Sequence, residues 1–120
     1  MERPLKETFS ICSLNDSPRV PFKFDGRILY SSDCYELVHL TLLPGEGMEL
    51  HAQPFDVVFF VIEGNGTLAV GNESLEAGEN TAIHVGAGVM RAWLKFPISR
   101  ITIHRSVWNC LPQPAGPITN

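Results

Sequence analysis

The chain has 120 residues, 13 acidic against 9 Lys and Arg side chains, a formal net charge of −4, and 44% apolar against 18% charged content. That length suits one domain with a real core, and that composition excludes a disordered chain. An acidic chain whose Lys and Arg stand singly makes no nucleic-acid-binding surface. The opening residues MERPLKETFS lack the apolar stretch of a secretion signal. The longest apolar run, Val57 to Ile62, is strand-sized, so no membrane partner is expected. Cys12, Cys34 and Cys110 are odd in number and have no CxxC spacing. They argue against a disulfide framework and a cysteine zinc site, and predict reduced thiols in a cytoplasmic protein.

In chain order, residues 1–24 carry Pro4, Pro18 and Pro21 and little periodicity. They read as an N-terminal arm able to add an edge strand. Residues 25–110 hold short apolar runs separated by Gly and Pro, with no helix of convincing length. This pattern predicts an all-β, antiparallel sandwich or barrel. The predicted strands are 27–30, 35–43, 48–51, 57–63, 67–70, 74–76, 81–85, 90–94 and 98–108. Glu63-Gly64-Asn65-Gly66 places residues that tolerate positive φ between two strands, which predicts a hairpin of 57–63 with 67–70. Gly71-Asn72, Pro44-Gly45 and the segment Ala77 to Asn80 are the other sharp breaks. The tail 111–120, LPQPAGPITN, should be extended.

One stretch carries a recognisable spacing. Gly45 is followed after five residues by His51, then by Gln53, and Val57 stands six residues before Gly64, with Gly66 trailing. This resembles the first cupin motif, G-x5-H-x-H-x3-4-E-x6-G, with Gln53 at the second histidine and Val57 at the glutamate. Further on, Val85-Gly86-Ala87-Gly88-Val89-Met90-Arg91-Ala92-Trp93 is similar to the family's IPAGVPHRW, with Met90 at the proline and Arg91 at the histidine. A strict count from Gly78 instead sets His84 on the proline and Val89 on the histidine. The resemblance covers about residues 35 to 107 and is to the small, conserved-barrel (RmlC-like) cupins. It implies a double-stranded β-helix, or jelly-roll barrel, often a homodimer. In the family the interior pocket usually holds a divalent metal on three His and one Glu.

The departures from that motif bear on chemistry. Strand alternation sets Gln53 on the face of His51, and Val57, Phe59 and Val61 together on one face. One imidazole remains, glutamine is a weak neutral donor, and valine cannot ligate. An arginine in the fourth position brings a permanent positive charge. These residues favour a pocket without a metal cofactor, formed by His51, Gln53, Val57, Phe59, Val61, Arg91 and Trp93 and suited to a polar or anionic small molecule. The alternative is a metal-dependent enzyme of oxygenase or sugar-isomerase type, using His51 and Gln53 with His84 or His104. It would gain if the Thr102–His104 face lined the barrel, or if a bulge turned Asp56 inward. A third reading is a dimerisation or regulatory module with a vestigial pocket. Phe60 would lie against a partner strand or subunit.

Overall fold

The computed structural model describes residues 9–21, 23–94 and 100–108. The tail 111–120, Cys110 and the first two residues of the predicted last strand lie outside the described residues. The architecture is all-β. Among the described residues, eight antiparallel strands follow a 3-10 turn at Leu14–Asp16: β1 (Asp25–Ser31), β2 (Tyr35–Leu42), β3 (Asp56–Glu63), β4 (Gly66–Val70), β5 (Glu73–Ala77), β6 (Ala82–Val85), β7 (Arg91–Trp93) and β8 (Ile101–Trp108). They form a five-stranded sheet, β1-β2-β8-β3-β6, facing a three-stranded sheet, β5-β4-β7. Val38, Leu40 and Leu42 of β2, Val57, Phe59 and Val61 of β3, and Ile101, Ile103 and Val107 of β8 are all buried on the facing side. Leu68, Ala77 and Trp93 meet them from the smaller sheet. The period-2 burial is the alternation that packs one face of each strand.

Two local expectations are corrected. The hairpin of 57–63 with 67–70 does not form: β3 is flanked by β8 and β6, while β4 pairs with β5 and β7. With both edges of β3 taken, the glycine turn carries the chain from one sheet to the other. Gly64 sits at φ +84°, and a Cβ there would lie 2.3 Å from the Arg100 carbonyl oxygen, so only glycine permits the crossing. The true hairpin is β4–β5, around Gly71-Asn72. The segment 48–51 is not a strand. It runs loosely beside β7 through Met48 N–H to Trp93 O and a single His51–Arg91 bridge. In the arm, Val20 N–H donates to Gly26 O and Ile28 N–H to Pro18 O, which lays 18–20 along the outer edge of β1.

The cysteine expectation is also corrected. Cys12 is free and exposed, but Cys34 is disulfide-bonded rather than a reduced thiol.

Candidate functional site

The inner face of β8 reads Ile101, Ile103, Arg105, Val107, so alternation drives an arginine into the apolar interior. Arg105 meets Phe59 in the β3 register and Val38 in the β2 register. On β2, Glu36 shares the inner face with Val38, and Arg105 Nη2 approaches Glu36 Oε1 at 3.5 Å. Burial lowers the pKa of Arg105, and the Glu36 carboxylate opposes that shift. From the other sheet, β7 opens with Arg91, which is 2% exposed. Arg91 Nη2 donates to Gln53 Oε1 at 2.9 Å. Its Nε and Nη1 are buried with no hydrogen-bond partner among the described residues. Burial first, and the positive charge of Arg105 second, lower the pKa of Arg91. Arginine keeps its proton at neutral pH under both pressures.

Arg105, Phe59, Arg91 and Gln53 line a cavity of about 440 Å³. Phe59 and Arg91 form its buried end, with Arg105, His51 and Gln53 around them. Phe24, Gly47 and Met48 are half-buried in its lining, and the exposed Pro21, Lys23, Glu49 and Leu50 mark its mouth. The paired backbones of His51 and Arg91 hold those two residues side by side. His51 Nδ1 lies 2.8 Å from Glu49 O. A carbonyl only accepts, so Nδ1 is the donor in that contact.

Of the residues predicted from the sequence, His51, Gln53, Phe59 and Arg91 come together around the cavity. Val57, Val61 and Trp93 do not line it. They are core residues, with Trp93 packed edge-on to Phe59 at 5.6 Å between ring centroids. Arg91 faces inward, whereas His84 is exposed and Met90 is 42% exposed. The glycine-aligned register of the second motif is therefore the one that brings its marked residue to the cavity.

The compensating ligands do not converge. His104 lies on the outer face of the five-stranded sheet with its Nε2 3.1 Å from His39 Nδ1, so the condition that the Thr102–His104 face line the barrel is not met. It is Ile101, Ile103 and Arg105 that point in. His84 Nε2 is 3.1 Å from Asp56 Oδ2, and Asp56 Oδ1 accepts from Ala87 N–H at 2.9 Å, both outside the barrel. The bulge in β3 falls between Val61 and Glu63, not at Asp56, so no carboxylate turns inward there. Among the described residues no three His, Cys, Asp or Glu side chains group as metal ligands. The family's divalent metal would find one imidazole, an amide oxygen already accepting from Arg91, and a guanidinium, a donor set that does not suit a cation.

Sequence reasoning missed Arg105 and Glu36. The signal for both was the strand alternation: each is a charged residue in step with a buried apolar face.

The sequence matches no protein-family model and no curated protein. Its structure is nevertheless similar to several solved ones. An RmlC-like cupin from Shewanella frigidimarina superposes with a TM-score of 0.76 at 11% identity, over 87% of this chain and 94% of that one. The polyketide cyclase RemF from Streptomyces resistomycificus gives 0.74 at 15% identity, over 84% and 80%. KdgF from Halomonas sp. gives 0.72 at 13% identity, over 83% and 94%. Likeness at such identities speaks for the fold and leaves the chemistry to the site. The chain has the cupin fold, an all-β double-stranded β-helix.

Proposed function

We propose that this barrel binds a small organic anion without a metal cofactor, with Arg91 as the principal contact and Arg105, His51 and Gln53 around it. One observation carries the reading: a guanidinium 2% exposed at the end of a cavity, hydrogen-bonded to a neutral amide and left with two unpartnered nitrogens. Buried charges are normally paired, and buried donors normally satisfied. A carboxylate or phosphate at that end of the cavity supplies the missing charge, and arginine's planar fork suits either. The donor set around His51 supports the metal-free part. An open cavity of about 440 Å³ supports binding over a vestigial, side-chain-filled interior.

Melting the protein at fixed ionic strength with citrate, benzoate or inorganic phosphate tests this. At least one anion should raise the melting temperature of the wild type and leave Arg91→Gln unmoved. Equal shifts in both proteins would overturn it. Near one Fe, Mn, Ni or Zn per chain in protein purified without chelator would overturn the metal-free part.

A homodimer is a further part of the proposal. Ile62, Tyr30 and Trp108, 39%, 44% and 55% exposed, leave apolar surface on the strands of the larger sheet. Light scattering on the purified chain decides it. A cytoplasmic location loses its cysteine argument with Cys34 in a disulfide, since such bonds persist mainly in oxidising compartments.

A further inference from the structure

The charges and walls of the cavity narrow the class of anion. Arg105 is answered by Glu36 on the neighbouring strand. At the mouth, Lys23 and Glu49 carry opposite charges. Of the two interior arginines, Arg105 has a carboxylate partner and Arg91 has none among the described residues, so that pair lacks one negative charge, not two. The space is also far larger than an inorganic ion needs, and its walls include Phe59, Phe24, Met48 and Leu50. Apolar walls gain nothing from a bare ion and gain with each apolar group buried.

We infer that the ligand is an organic monocarboxylate, its carboxylate on Arg91 beside Arg105 and its apolar body against Phe59, Met48 and Phe24. This rests on the anion-binding reading above and adds two demands to it: a single charge, and a hydrophobic body. His51 and Gln53 stand beside the carboxylate end, and Leu50 at the mouth marks where a longer body would emerge.

Calorimetric titration at constant ionic strength tests it, using phenylacetate, hexanoate, acetate, 2-phenylethanol, phenylphosphonate and inorganic phosphate as probes. Phenylacetate or hexanoate should bind about 10- to 100-fold more tightly than acetate, from burial of the apolar body. The uncharged 2-phenylethanol should bind at least about tenfold more weakly than phenylacetate, having lost the charged hydrogen bonds. Met48→Ala should weaken the phenylacetate and hexanoate complexes by a larger factor than the acetate complex. Arg91→Gln and Arg91→Lys, each checked for native β-sheet signal by circular dichroism, should both lose the preference for phenylacetate over 2-phenylethanol.

Tighter binding of phenylphosphonate or inorganic phosphate than of either monocarboxylate would overturn the inference while keeping the anion site. Acetate binding as tightly as phenylacetate and hexanoate would do the same. Failure of every anion to bind would overturn the anion-binding reading itself.

Discussion

Arg91 Nη2 donates to Gln53 Oε1 across 2.9 Å, so the buried cation of this barrel is held by an amide rather than an acid. Gln53→Glu should close that gap from within. A carboxylate in nearly the same space would pair with Arg91 and occupy the position a ligand anion needs. Anion affinity should fall at least about tenfold, with thermal stability held or raised. Gln53→Ala should instead strand a third donor of Arg91 and cost about 1–3 kcal/mol of stability in denaturant titration.

Glu36 sets the net charge of the interior through Arg105. Glu36→Gln should release a second positive charge toward the cavity. Binding of dianions such as phenylphosphonate should then gain relative to phenylacetate by about tenfold, equivalent to ~1.4 kcal/mol. The ratio of the two dissociation constants, wild type against variant, is the measurement.

The outer-face pair His39 and His104 should make stability depend on pH. Burial lowers the pKa of both. For His39 the neighbouring Asp25 pulls back up and Arg27 pushes further down, while His39 itself lowers His104. Below the ordinary histidine value near 6.5 the unfolded chain takes up protons that the folded pair refuses. Stability should therefore be flat above that pH, fall as pH drops through the region just below it, and level off once the folded pair is protonated. His104→Gln should flatten that part of a curve of denaturation midpoint against pH.

Gly64→Ala should be severe and Gly71→Ala mild. Both glycines have positive φ, +84° and +59°, but a Cβ at 64 would meet the Arg100 backbone while at 71 it meets nothing within 4 Å. The expected losses are about 3 kcal/mol or more at Gly64 and about 1 kcal/mol at Gly71. Chemical denaturation of the two variants side by side checks the ranking.

Much of the fold is readable from residues that repeat at strand spacing. Val57, Phe59 and Val61 are predicted to share a face and do so at full burial. Pairing partners were less legible: Gly64 and Gly66 signal a sharp turn, but nothing local says whether it joins neighbours in one sheet or crosses between two. The cavity was half legible. His51, Gln53 and Arg91 stand out by motif position, while Arg105 and Glu36 follow only if alternation is carried to the end of β8 and the start of β2. Phe24 comes from the arm, which has little periodicity, and Leu50 from a segment, 48–51, predicted as a strand that does not form; their approach depends on how these stretches lie over the barrel.

Arg91 rides on the small sheet and Arg105 on the large one, so the two like charges sit on opposite leaves of the sandwich. Unliganded, the repulsion between them works against close approach of the two leaves there, as of a book that resists closing. An anion lodged between them would act as a clasp. Occupancy would then be felt beyond the pocket, as slower hydrogen exchange in β7 and β8 together.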